Sequence, residues 1–109
     1  MLETYLSQLG YIVEHSRLID CFARLKSGPA IFEVKSINEQ NERSQCRHAL
    51  SQLYEYEYLH ELPDASLWLV FSRKPVKQWL IEYLWKGRDL KLLWLEGNAL
   101  GGPAMGDLE

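Results

Sequence analysis

Ala30-Ile31-Phe32-Glu33-Val34-Lys35 is the stretch whose reading decides the fold. Its β-branched and aromatic residues read as a strand over Ala30 to Ser36, entered through the turn Ser27-Gly28-Pro29. Alternation puts Ile31, Glu33 and Lys35 on one face and Phe32 and Val34 on the other. Charge is out of place on so apolar a strand, because a buried carboxylate or ammonium is costly unless it is paired or binds a metal. Asp20 stands thirteen positions before Glu33, on a strand expected over Leu18 to Lys26, where it shares a face with Phe22 and Arg24. If the two strands form a hairpin, Asp20 and Glu33 are cross-strand neighbours. Carboxylates that close repel each other unless a cation lies between them. Hard oxygen ligands of this kind suit Mg²⁺ or Mn²⁺, and Lys35 on the same face is placed to orient an attacking water.

Outward from this hairpin the chain alternates between helix and strand periods. A short helix is expected over Thr4 to Gly10, stopped by Gly10, followed by a strand over Tyr11 to His15. After the polar loop Ile37 to Asn41, Ala49, Gln52, Leu53, Tyr56 and Leu59 recur at helical spacing within a long helix from Glu42 to His60. Ser66 to Ser72 is apolar at nearly every position, which predicts a central strand buried on both faces. A second amphipathic helix is expected over Val76 to Lys86, with Trp79, Leu80, Tyr83 and Leu84 inward, and a last strand over Leu90 to Leu95. The reading is therefore α/β, in the order α-β-β-β-α-β followed by an extra helix and strand. It predicts a mixed sheet flanked by helices. Residues 1–96 are expected to form a single domain and 97–109 a flexible, Gly-rich tail, with Leu108-Glu109 set aside as an added remnant.

Composition narrows the class. The chain has 109 residues, 47% hydrophobic and 25% charged, as in an ordinary globular domain with one core. No apolar run approaches a membrane span and no secretory signal opens the chain, so a cytoplasmic location and no membrane partner are expected. The two cysteines, Cys21 and Cys46, show no metal or disulfide spacing and read as thiols. A net charge of −3 speaks against a strong nonspecific nucleic-acid binder. It leaves room for an enzyme whose carboxylates carry metal ions, since bound cations reverse the local sign.

The pattern Asp20, twelve residues, Glu33-Val34-Lys35 resembles the PD-(D/E)XK nuclease superfamily, and the element order resembles that family's restriction-endonuclease-like core. Gln52-Leu53-Tyr54-Glu55-Tyr56 resembles the QxxxY motif of its RecB-type members, with Gln52 and Tyr56 on one helix face. The residue before Asp20 is Ile19, where the family name has proline. The resemblance implies a Mg²⁺- or Mn²⁺-dependent nuclease cutting phosphodiester bonds, with DNA the expected polymer and a 5′-phosphate the expected product. It implies Asp20, Glu33 and the Val34 backbone carbonyl as metal ligands. Glu3 is the expected further carboxylate from the first helix, with Glu14 a weaker one. Lys35 and Gln52 complete the catalytic set. Arg47, Tyr56, Arg73 and Lys74 are the expected nucleic-acid contacts, the last two within the basic segment Ser72 to Lys77 that enters a helix, with support of Gln52 the alternative role of Tyr56. Few phosphates can be contacted by so small a domain, so a homodimer or a larger nuclease complex is expected.

Blander readings stand beside these. Asp20 could be an exposed polar residue on an edge strand, Glu33 and Lys35 a solvated or structural ion pair, and Gln52 with Tyr56 a polar helix seam. Trp68, Phe71, Trp79, Trp85 and Trp94 are expected in the core. The alternative function is an inactive nuclease-fold module serving nucleic-acid binding or protein assembly.

Overall fold

The computed structural model describes residues 2–15 and 21–108. Helix α1 (Leu2–Gln8) buries Leu2 and Leu6, one turn apart. It ends as the sequence predicts. Gly10 adopts φ +92°, the Tyr11 N–H donates to the Leu6 carbonyl and the Gly10 N–H to that of Ser7. This pair of bonds caps the last turn and needs a left-handed residue between them, which glycine supplies without a Cβ clash.

Among the described residues six strands follow: β1 (Val13–Glu14), β2 (Cys21–Leu25), β3 (Gly28–Lys35), β4 (Ser66–Phe71), β5 (Lys91–Glu96) and β6 (Ala99–Gly101). They form one mixed sheet in the order β1-β2-β3-β4-β5-β6. The first three run antiparallel as a meander, with Cys21 opposite Phe32 and Phe22 opposite Ile31. β3, β4 and β5 are parallel, and β6 returns antiparallel on β5. Parallel neighbours require crossovers. Helix α2 (Glu42–Leu59) makes the first, and helix α3 (Gln78–Glu82), continued by a π-helical turn over Tyr83–Gly87, makes the second.

Both crossover helices lie on one face of the sheet. There Cys46, Ala49, Leu53 and Tyr56 of α2 and Leu80, Ile81 and Leu84 of the second crossover pack on Ile31, Leu69, Phe71 and Leu92. The other face is covered by α1 and the C-terminal segment, with Leu6, Phe32, Trp68, Val70, Leu93, Leu100 and Leu108 in one cluster. Phe32 and Trp68 stack across β3 and β4 at 5.1 Å. β4 alternates between the two clusters, which explains its unbroken apolar sequence.

Two expectations need correction. Trp79 and Tyr83 do not face the core: they are 51% and 42% exposed. The inward stripe is Leu80, Ile81 and Leu84, and at about 100° per residue Trp79 and Tyr83 fall on a neighbouring stripe of their own. The segment after Gly97 is also not a loose tail. Ala99–Gly101 pairs on β5, Met105–Leu108 forms a 3-10 turn, and Leu100, Ala104 and Leu108 are buried. The Tyr11 hydroxyl donates to the Leu108 carbonyl at 2.9 Å, and the Ala104 N–H to that of Leu92 at 3.2 Å. Small and apolar residues four apart fill the surface beside α1, a pattern that the Gly-rich composition conceals.

Gly102 holds this return in place at φ +113°, where a Cβ would lie 2.9 Å from the Leu92 carbonyl oxygen and 3.0 Å from the Leu93 Cα. Backbone cannot yield as a flexible side chain can. Gly102→Ala is therefore expected to lower stability by about 1–3 kcal/mol, read as a lower urea midpoint with an unchanged slope. An unchanged midpoint would mean that the C-terminal segment does not pack on β5 in solution.

Candidate active site

The site grows from the alternation of β3. Ile31 and Glu33 point toward α2, and Glu33 is buried at 1% exposure. Lys35, two residues on, follows the same face and brings its Nζ to 3.6 Å from Glu33 Oε2. The lysine keeps part of its surface in solvent, whereas the carboxylate has almost none. The exit of β3 is pinned on three sides. The Ser72 N–H donates to the Lys35 carbonyl at 3.0 Å, the Ile37 N–H to Ser72 Oγ at 2.9 Å, and Gln45 Nε2 to the Ser36 carbonyl at 3.0 Å.

Gln52 lies two helical turns beyond Gln45 on the same side of α2. The crossover makes α2 run antiparallel to β3. Seven residues of helix cover about 10 Å, the length of about three strand residues. Counting back from Ser36, this brings Gln52 level with Glu33. Gln52 Nε2 donates to the Tyr56 hydroxyl at 3.1 Å, while its Oε1 is buried and has no hydrogen-bond partner among the described residues. A buried amide oxygen left unpaired carries a desolvation cost of about 1–3 kcal/mol. Tyr56 sits in the core beneath α2. Of its two expected roles, its burial suits support of Gln52 over contact with nucleic acid.

The other expected residues divide. Asp20 lies outside the described residues, one peptide bond from Cys21, the residue paired with Phe32. The Val34 side chain takes the opposite face from Glu33 and is 45% exposed, beside a cavity of about 540 Å³ that Leu2, Glu3 and Thr4 also line. Glu3 thus belongs to the Val34 side of the sheet, and its carboxylate is 2.9 Å from His15 Nε2. The structure does not bring it to Glu33. Glu14 is placed better: it lies opposite Phe22, itself opposite Ile31, so the three share the α2 face.

Arg47 is five residues from Gln52, about 140° around the helix, and lines a groove toward α3. It is separated from Glu33 by the width of α2. Arg73 and Lys74 are already engaged. Arg73 approaches the Glu42 carboxylate at 3.4 Å, and Lys74 Nζ lies 5.8 Å from the ring centre of Trp94. The N–H groups of Val76 and Lys77 at the end of the basic segment are also taken. Glu42, fully buried, accepts from the Val76 N–H at 2.8 Å and the Lys77 N–H at 3.2 Å. In the sequence, Glu42 reads only as an acid in the first turn of a helix, and nothing in its neighbours announces the loop it clamps.

Burial pushes the Cys46 thiol up to about 11, against a smaller opposing pull from the Arg47 charge. Cys46 therefore stays protonated near neutrality and is no nucleophile. Among the described residues, no three His, Cys, Asp or Glu side chains gather as a metal nest. The described oxygen donors that fit a hard divalent cation are the Glu33 carboxylate and the unpartnered Gln52 Oε1.

Replacing Gln52 separates chemistry from packing. Gln52→Leu removes the stranded oxygen together with the bond to Tyr56, so thermal unfolding should show stability unchanged or raised by up to about 1 kcal/mol. A loss of more than about 2 kcal/mol would identify Gln52 as a structural residue and remove it from the site.

No family model, curated protein or solved structure matches this chain. The residues themselves carry the functional reading.

Proposed function

We propose that this chain is a metal-dependent nuclease with a restriction-endonuclease-like core, hydrolysing phosphodiester bonds of nucleic acid, with DNA the expected polymer. The observation that carries the reading is the Glu33 carboxylate, 1% exposed on an apolar strand, with Lys35 beside it on the same face. The unpaired Gln52 oxygen at the same level of the β3–α2 interface supports it.

Glu33, Asp20 and the Val34 carbonyl would hold Mg²⁺ or Mn²⁺. The bound ion would supply Lewis acidity toward the phosphoryl oxygen and a lowered pKa for its water. Lys35, partly open to solvent, orients the attacking water by hydrogen bonding and places positive charge where the phosphorane charge develops. Gln52 positions that water or the metal through Oε1, steadied by Tyr56. The pinned exit of β3 keeps Lys35 in register with Glu33, which limits the freedom the site loses on reaction. With few free cations around the site, productive binding calls for a homodimer or a larger complex.

A second reading has its own support. The 3.6 Å contact between Glu33 and Lys35 is also what a structural ion pair would show. Breaking a buried pair costs about 3–5 kcal/mol, so that reading expects Glu33→Gln to destabilise the fold. The metal reading expects apo stability to hold or rise, because one of two repelling carboxylates is removed.

The deciding experiment incubates the protein with supercoiled plasmid and with linear single- and double-stranded DNA in Mg²⁺, Mn²⁺ or EDTA. Metal-dependent cleavage should fall at least a hundredfold in Lys35→Ala and in Glu33→Gln, with both variants folded. Absence of cleavage together with absence of calorimetric metal binding would sink the nuclease and leave an inactive nuclease-fold module for binding or assembly.

A further inference from the structure

The chain has four tryptophans, and three are put to structural use. Trp68 Nε1 donates to Ser66 Oγ at 2.8 Å and Trp94 Nε1 to Glu96 Oε1 at 2.7 Å. Trp85 lies half-buried with Lys91 Nζ 5.6 Å from its ring centre. Trp79 is the exception. It is half exposed, and its indole N–H finds no partner among the described residues. One turn along, Tyr83 is exposed beside it and its hydroxyl makes no hydrogen bond among the described residues. The two aromatics form one wall of a groove of about 200 Å³ between α2 and α3, floored by Cys46, Leu50 and Leu80. Arg43 and Arg47, one turn apart on α2, form the other wall.

These arginines have no carboxylate within ion-pair distance among the described residues. Neither makes an ion pair or a hydrogen bond among the described residues, while Arg73 is drawn to Glu42 and Arg88 donates to the Tyr54 hydroxyl at 2.9 Å. In a chain of net charge −3, two unpaired guanidinium groups facing two unpaired aromatic rings mark a site for a ligand that is both anionic and planar. The groove volume suits one aromatic ring system at a time.

We propose that the groove between α2 and α3 binds an unpaired nucleic-acid strand, with Trp79 and Tyr83 stacking on bases and Arg43 and Arg47 contacting the flanking phosphates. Ring faces are available in a single strand and hidden in a duplex, and stacking is indifferent to base identity. The groove lies around α2 from Gln52, so the strand is held away from Glu33 and Lys35. The inference deepens the nuclease reading by naming an unpaired strand, but binding in EDTA tests it without turnover. Either reading can therefore fail alone.

The test titrates a labelled twelve-nucleotide oligothymidylate into the whole chain in EDTA, following anisotropy and tryptophan emission. Trp79→Ala should weaken binding on the order of tenfold, and Trp79→Phe should retain most of it. Arg43→Ala with Arg47→Ala should flatten the slope of log K against log salt by about 1.4, as expected for two lost phosphate contacts on a single strand. Lys26→Ala, an exposed lysine on the β2–β3 turn, should change nothing. The proposal is overturned by any of three results: no binding by the parent chain, binding insensitive to Trp79 and both arginines, or equal binding of a twelve-base-pair duplex. Tighter capture of a decaglutamate peptide carrying one tyrosine would also overturn it, in favour of an acidic protein partner.

Discussion

Burial of the Glu33 carboxylate between β3 and α2 is the constraint on which the arrangement around it depends. An inward position on an apolar strand can carry charge only if the surroundings compensate it, and Lys35, two residues on along the same strand, brings one compensating charge. Lys35 can reach back because β3 stays extended to its end, and it stays extended because Ser72, Ile37 and Gln45 fix its exit. The long crossover helix then has to pass over a polar floor. It does so with Gln52 on the β3 side and an apolar stripe of Ala49, Leu53 and Tyr56 toward the rest of the core.

Among the described residues, Glu33 and Glu42 are the two polar side chains recorded as buried, and they solve the same problem differently. Glu42 is satisfied by two backbone N–H groups and a guanidinium, a set of donors that fixes the segment between β4 and α3. That is the chemistry of a structural carboxylate. Glu33 has the Lys35 ammonium at 3.6 Å, on a strand inside the sheet between β2 and β4. A neighbouring ammonium on the same face, in place of backbone donors, separates this carboxylate from the Glu42 clamp.

The distribution of cations follows a similar division. Lys35, Arg73 and Lys91 each approach a carboxylate, and Arg88 is tied to Tyr54. Arg43 and Arg47 are left facing the exposed pair Trp79 and Tyr83. Tyr83 and Leu84 are neighbours in sequence about 100° apart around the helix, so the second crossover buries Leu84 while Tyr83 stays outside beside Trp79.

Much of the architecture was legible in the sequence because period and punctuation are local. The charge-bearing apolar strand, the Gly10 stop, the long helix from Glu42 and the doubly buried β4 each follow from side-chain alternation, helical spacing or a required left-handed residue. The common face of Glu33 and Lys35, and the stacking of Gln52 on Tyr56, follow from the same two periods. What the sequence could not decide is which face of each element meets which neighbour. Only the folded sheet separates Glu3 from Glu33, sets Glu14 on the α2 face, spends the basic segment on Glu42 and packs Leu100, Ala104 and Leu108 against α1 and β2. It also turns Trp79 and Tyr83 outward, because Leu80, Ile81 and Leu84 complete the core beneath α3. Residue type and spacing determine the elements and the chemistry they carry. Partners distant in sequence decide where that chemistry can meet, since those contacts exist only once the chain has closed on itself.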